Sequence, residues 1–414
     1  MTAAWTCLTS SAALPLLKQG LLPLKAELRA DAAALVEELG RVDPAKFLGA
    51  LNDEARRLLD QLAAGIQAYR RHPYRRDVAE PPVVWREGTT RLVDYGGAQG
   101  TNDGLPVLLV PSLINRAYIL DLNYERSLAR WLAQRGLRPL LVDWDRPGEL
   151  ERGFTLTDYI AGRLESALDQ TLALTGREPA VLGYCMGGLL AVALADRRRR
   201  DIAGLALMAT PWDFHAGARY RYEQFMPLMA PGFAASLQML GELPVDALQM
   251  MFYALDPYLV IRKFRQFAAL DPASPKARAF VALEDWLNDG VPLAGPVARD
   301  CMIGWYGENQ PARGTWRIAG RPVEPQRIER PTLMLVPVRD RIVPPASAAA
   351  LLPAMPGSMA ISPPLGHIGM VVAESAPLNA WRPLAEFLLA LDQTPTPASA
   401  PRGQRAGRGH GAPV

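Results

Sequence analysis

No stretch of this chain restricts its fold as much as Gly183-Tyr184-Cys185-Met186-Gly187-Gly188. Before it, Pro179 to Tyr184 reads as a short buried strand. After it, Leu189 to Ala195 reads as an apolar helix that ends in Asp196 and four arginines. A strand that turns at once into a helix holds its central residue in a strained conformation. Side chains two positions to either side would collide, which explains Gly183 and Gly187. The turn lifts the Cys185 thiol out of a sheet and over a helix N-terminus, whose partial positive charge favours a thiolate. The plainer alternative is a structural cysteine in a glycine-rich strand–helix turn.

The surrounding sequence decides the fold class. Val83 to Glu87 and Thr90 to Tyr95 flank a Gly-Thr turn and read as a hairpin. Pro106 to Pro111, Gly136 to Trp144 and Ile202 to Thr210 are continuous apolar runs, as expected of strands buried on both faces. Helical patterns separate them: one holds Leu128, Trp131 and Leu132, and an amphipathic one runs from Thr155 to Leu174 with Asp158 near its start. Strand–helix alternation of this kind implies an α/β protein with a mostly parallel central sheet. The alternation stops after Phe214 and resumes with Pro331 to Val338, a last short strand near Ser358 to Ser362, and a closing helix through Trp381 to Leu391.

The chain therefore divides into a helical N-terminal region (1–80), a first core part (81–214), a cap insertion (215–330), a second core part (331–392) and an acid-free tail (393–414) expected to be disordered. In the first region, Asp43-Pro44 starts a helix as N-cap and first helical residue. Leu51, Leu58, Leu62, Ile66 and Tyr69 give that helix one apolar face. Pro73 stops it inside the basic run Arg70 to Arg76, expected to be a solvated helix end. The insertion carries six methionines and the aromatic clusters at Trp286 and Trp305-Tyr306, suited equally to core filling and to an adaptable cap wall.

Composition narrows the function. The formal net charge is only +3, and much of the excess lies in the tail, so no nucleic-acid partner is expected. Cys7, Cys185 and Cys301 are too few and too irregular for a disulfide framework or a Cys-rich zinc site, and a reducing cytoplasm fits best; separately, no metal and no cofactor is expected. Met1 to Leu24 lacks a basic start and is interrupted by Pro15 and Lys18, so it does not read as a targeting segment. The longest apolar run, Ala180 to Ala195, is too short to span a membrane.

A nucleophilic cysteine needs a base, and the base needs an orienting group. Of the four histidines, His410 lies in the tail, His72 at a helix end and His215 at the entry to the insertion. His367 follows the last strand between Gly366 and Gly369, where α/β-hydrolases place their base. On that fold the acid lies between nucleophile and base in the chain. Asp340 directly follows an apolar strand, unlike Asp213, Asp271 and Asp289, whereas Asp143 and Asp145 come too early. The expected catalytic set is Cys185, Asp340 and His367. The oxyanion hole should use the backbone N–H of Met186 and one from Leu113, Ile114 or Asn115, with Ile114 preferred.

With these residues in place the chain resembles the polyhydroxyalkanoate synthases. Val110-Pro111-Ser112-Leu113-Ile114-Asn115-Arg116-Ala117-Tyr118-Ile119-Leu120-Asp121-Leu122 is similar to that family's Pro-x-x-Ile-Asn-Lys-x-Tyr-Ile-Leu-Asp-Leu. Val142-Asp143-Trp144, the Gly-x-Cys-x-Gly-Gly box, Glu284 to Gly290, Asp340-x-Ile-Val-Pro and Gly366-His367-Ile368-Gly369 add to it over roughly residues 81–390. Two departures stand out. Arg341 occupies a position where the family commonly has His, and Asp143-Trp144-Asp145-Arg146-Pro147 stands for Asp-Trp-Gly-x-Pro. The resemblance implies an α/β-hydrolase fold and a 3-hydroxyacyl-CoA substrate. It further implies a growing polyester chain or granule surface as partner, a homodimer, and no cofactor beyond the CoA thioester. Arg219, Arg221, Lys263 and Arg265 are candidate partners for the coenzyme A phosphates. Rival readings are a hydrolase using the same three residues, as dienelactone hydrolases use a Gly-Tyr-Cys-x-Gly-Gly box, and a non-catalytic granule-associated relative.

Overall fold

The computed structural model describes residues 13–393 apart from 23, 25, 98, 99, 101, 218–230, 236 and 257. Arg219, Arg221, His410 and nearly all of the acid-free tail lie outside these residues. The chain divides into two units, one built from residues up to Val78 with Leu243–Pro292, the other from Ala79–Glu242 with the residues from Leu293 onward.

An eight-stranded sheet organises the second unit. Its strands are β1 (Val83–Glu87), β2 (Thr90–Asp94), β3 (Pro106–Val110), β4 (Arg138–Asp143), β5 (Ala180–Tyr184), β6 (Gly204–Met208), β7 (Thr332–Leu335) and β8 (Met359–Ile361). Their order across the sheet is β1-β2-β4-β3-β5-β6-β7-β8. From β4 to β8 every pairing is parallel, while β1 and β2 form an antiparallel hairpin joined to β4. The hairpin turns at Gly88-Thr89, where Gly88 has φ 58°, a left-handed angle a side chain would resist. In β3, β5 and β6 every residue is buried, which accounts for their unbroken apolar sequence. β1 lies at the edge and is mostly exposed.

The longer helices are α1 (Arg29–Gly40), α2 (Pro44–Arg71), α3 (Leu128–Ala133), α4 (Glu165–Thr175), α5 (Met186–Arg197), α6 (Val245–Leu255), α7 (Leu259–Ala268), α8 (Pro275–Asn288) and α9 (Arg382–Asp392). The expected Thr155–Leu174 helix forms with a π-helical segment at Asp158–Leu164 ahead of α4, and the Asp158 carboxylate accepts from the Thr155 N–H at 2.8 Å. The stretch 215–330 contributes to both units, and among its described residues it has no strand longer than two residues. Its later part stacks Trp305 on Phe214, with ring centroids 5.7 Å apart, and sets Trp305 edge-on to Trp316.

The first unit is helical. Asp43 caps α2 by accepting from the Ala45 and Lys46 N–H groups, and Pro44 takes the first helical position. Leu51, Leu58, Leu62, Ile66 and Tyr69 line one face, half-buried. Gly65 lets α2 approach α7: a Cβ there would overlap the Phe264 carbonyl. Phe267 stacks on Phe280 at 4.3 Å, within a small core containing Ala277 and Val281. Lys263 is tied to both oxygens of Glu284 at 2.7 and 2.8 Å, and the Tyr69 hydroxyl donates to Asp285 at 2.7 Å. Glu284 to Asn288 of the family-like stretch thus latches α2, α7 and α8 together. Arg70, Arg71 and Arg75 are exposed at the helix end, whereas His72 is buried against the Pro272 carbonyl at 2.9 Å.

Candidate active site

All the loops that leave the carboxyl ends of the parallel strands open on one edge of the sheet, the usual place for a site in such folds. Cys185 follows β5 there, at φ 57° and ψ −128°, a conformation that costs of order 1–3 kcal/mol and persists only where its surroundings enforce it. They do so closely. The Cys185 N–H still donates to the Met208 carbonyl of β6 at 2.9 Å, holding strand pairing up to the turn. A Cβ on Gly183 would stand 2.5 Å from the Gly188 Cα and 2.7 Å from the Gly187 carbonyl oxygen, the collision expected from sequence. Gly187 is needed for a different reason: it presses against the carbonyls of Val110 and Pro111 at the end of β3. Gly188 in turn abuts the Thr210 side chain. All three glycines are fixed by packing.

His367 and Asp340 meet. The His367 Nδ1–H donates to Asp340 Oδ2 at 2.7 Å, since an ionised carboxylate only accepts. The other Asp340 oxygen accepts from the Ile342 and Val343 N–H groups at 2.8 and 2.9 Å, fixing the carboxylate within the turn after β7. Both side chains are buried. Arg341, at the position that departs from the family pattern, is exposed and leaves this contact intact.

The half-buried Cys185 is the other group that acts on the His367 ring. Burial opposes a charge on the ring, but the negative charge of Cys185 and the hydrogen bond to Asp340 outweigh it and raise the imidazole to about 10. Tyr184 backs the arrangement: its hydroxyl donates to the His367 carbonyl at 3.3 Å and its ring lies 5.3 Å from the imidazole. Burial pushes that phenol well above its ordinary range, so it stays neutral. This set can activate a thiol, hold a proton and return it to a leaving group.

The loop after β3 departs from the simplest expectation. Met186, first residue of α5, is among the N–H groups at a helix start that lack an intrahelical acceptor. The Ile114 N–H, by contrast, donates to Ser112 Oγ at 3.0 Å. The Trp144 indole donates to the Pro111 carbonyl at 3.1 Å, and Arg116 pairs with Asp145. That pair explains the second departure. Asp145 sits at φ 56°, where a glycine would be unstrained, and its carboxylate accepts from Arg116 and from the Arg146 N–H. Burial alone would raise the Asp145 carboxyl, but these partners hold it below its usual value. Sequence reading missed Tyr184, Trp144 and the Arg116–Asp145 brace. An aspartate in a glycine position was the available signal for the last.

Other expected residues are engaged elsewhere. His215 places Nε2 against the Tyr306 carbonyl at 2.9 Å, and Asp213 accepts from Asn309 at 2.8 Å. Lys263 belongs to the Glu284 pair, and Arg265 donates to Gln61 at 2.7 Å, so both candidate phosphate partners within the described residues are occupied. Among the described residues no cluster of three or more His, Cys, Asp or Glu side chains could hold a metal, and no helix is long and apolar enough to cross a membrane.

Comparison with known proteins agrees with the architecture. Residues 106–371 match the alpha/beta hydrolase fold family, and residues 58–132 match the Poly-beta-hydroxybutyrate polymerase (PhaC) N-terminus. A poly(3-hydroxyalkanoate) polymerase subunit PhaC from Synechocystis sp. is 31% identical over 277 residues, covering 65% of this chain and 73% of that protein. The subunit of the same name from Haloferax mediterranei is 29% identical over 323 residues, which is 76% of this chain. The alignment spans only 64% of the Haloferax protein's length. The Haloarcula marismortui subunit is 29% identical over 325 residues, 75% of this chain and 68% of that protein.

Proposed function

Because this chain belongs to the poly(3-hydroxyalkanoate) polymerase family, on the alpha/beta hydrolase fold, we propose that it polymerises 3-hydroxyacyl-CoA through an acyl group carried on Cys185, with release of coenzyme A. The observation that carries this reading is the His367–Asp340 hydrogen bond, with Cys185 acting on the same imidazole, at the carboxyl ends of β7, β8 and β5. The Cys185 sulfur attacks the thioester carbonyl, and an oxyanion forms and collapses. The C–S bond to coenzyme A breaks, and the departing thiolate takes the proton held by His367. One thioester has replaced another at little free-energy cost, so the acyl group stays activated. His367 then removes the proton from the 3-hydroxyl of another acyl unit, whose oxygen attacks the acyl-cysteine. An oxygen ester forms and Cys185 is regenerated. Asp340 fixes the His367 tautomer and stabilises its imidazolium form.

The reaction needs no cofactor besides the thioester. On this reading the partners are the substrate, the growing chain at a cytoplasmic granule surface, and a second copy in a homodimer. Incubating the purified protein with 3-hydroxybutyryl-CoA, while following thiol release and ester-linked oligomer, tests the proposal. Both should appear, and both should vanish in Cys185→Ala. Thiol release with only free 3-hydroxybutyrate identifies a thioesterase instead. No release from this substrate or from 3-hydroxydecanoyl-CoA identifies a non-catalytic relative.

A further inference from the structure

The end of β3 runs level with the end of β5. Val110 pairs with Gly183, so Ser112 lies two residues beyond that pair in the loop after β3, as Cys185 lies two residues beyond it in the turn after β5. Gly187 seats the first turn of α5 against the Val110 and Pro111 carbonyls, which puts the next residue, Ser112, beside the start of that helix. Ser112 and Cys185 are both half-buried.

The Ser112 Oγ accepts the Ile114 N–H at 3.0 Å. That bond does two things: it occupies the backbone donor expected from sequence, and it orients the hydroxyl while using only a lone pair. The Ser112 O–H proton has no acceptor among the described residues. The loop is braced on both sides, by the Trp144 indole on Pro111 and by Arg116 on Asp145. Asn115 between them is held at φ 67°.

We propose that the Ser112 hydroxyl, together with the Met186 N–H, donates to the oxyanion formed when Cys185 is acylated, in place of the Ile114 N–H. This rests on Cys185 being the nucleophile. The serine is a catalytic residue in the strict sense, since its proton touches the reacting oxygen.

The two donors predict opposite results for one substitution. Ser112→Ala removes the hydroxyl and frees the Ile114 N–H. If Ser112 is the donor, kcat for coenzyme A release from 3-hydroxybutyryl-CoA falls about 100-fold, the usual loss for one oxyanion donor, with KM little changed. Ser112→Thr, which keeps the hydroxyl, restores most of it. Alkylation of Cys185 by iodoacetamide forms no oxyanion and should proceed at the wild-type rate in both variants. An unchanged or raised kcat in Ser112→Ala overturns the proposal in favour of the backbone donor. A parallel loss of kcat and alkylation rate overturns it too, assigning Ser112 to shaping the loop or the thiol. Turnover that survives Cys185→Ala, or a wild type without turnover, sinks the underlying nucleophile assignment instead, and the proposal falls with it.

Discussion

The turn at Cys185 and the long helix α2 are both punctuated by glycine, yet they are specified in different ways. Every residue of β5 and nearly all of α5 is buried, and each glycine of the turn faces backbone or a side chain that a methyl group would overlap. Over its 28 residues, α2 buries only Ala55 and Gly65, and Gly49 faces open space. The turn is fixed by volume and stores strain. The helix is fixed by a half-buried stripe, an N-cap and a few polar latches. Interiors packed near crystal density resist small additions, whereas a surface helix absorbs them.

Ranked by expected size, substitutions should follow that contrast. The proposed chemistry lies with the region fixed by volume; on that proposal Asp340→Asn should lower kcat for thioester turnover about 10⁴-fold, as loss of the orienting acid does in related triads, with little change in circular dichroism. Gly187→Ala should cost about 4 kcal/mol or more in urea unfolding, because the new methyl meets two backbone carbonyls that cannot rotate away. In the helical unit, Glu284→Gln should cost about 2–3 kcal/mol by leaving the largely buried Lys263 without its counter-charge, read as faster amide exchange across α7 and α8.

A pH scan tests the His367 environment. The folded-state value of about 10 exceeds the ordinary 6.5, so the folded protein holds this proton more tightly than the unfolded chain. Its contribution to stability is therefore complete below about 6.5 and lost as pH rises through about 10. The urea midpoint should fall over that window, and fall less in Cys185→Ala, which lacks the negative partner. Equal slopes would mean that Cys185 does not hold the proton in place. The smallest effect expected is a gain: Gly49→Ala, on the open face of α2, should add about 0.5–1 kcal/mol, opposite in sign to the same change at Gly187.

The same contrast explains what the sequence revealed. Strands buried on both faces announce themselves as unbroken apolar runs, so β3, β5, β6 and β7 were legible, as was the helix that Asp43 and Pro44 begin. That Asp340 and His367 come together was legible from their chain order and strand ends, which topology dictates. Hidden were the contacts that depend on three-dimensional approach. No pattern in one strand shows that Gly187 serves β3, that Ser112 occupies the Ile114 N–H, or that Lys263 and Arg265 are engaged by Glu284 and Gln61 of other helices. Those pairings join residues far apart in the chain, or turn on a single rotamer.

The separation along the chain between Cys185 and its histidine has a consequence in time. During synthesis the cysteine emerges about 180 residues before His367, which at ribosomal speeds of 5–20 residues per second is an interval of roughly 10–35 s. β5 can pair with β3 and β6 early, but Asp340 and His367 arrive only with the last strands. On the proposed mechanism, the nascent chain carries its thiol for that interval without the base that would activate it. On that mechanism acyl transfer waits until the sheet is complete, and the ribosome, rather than an inhibitor, keeps the unfinished protein silent.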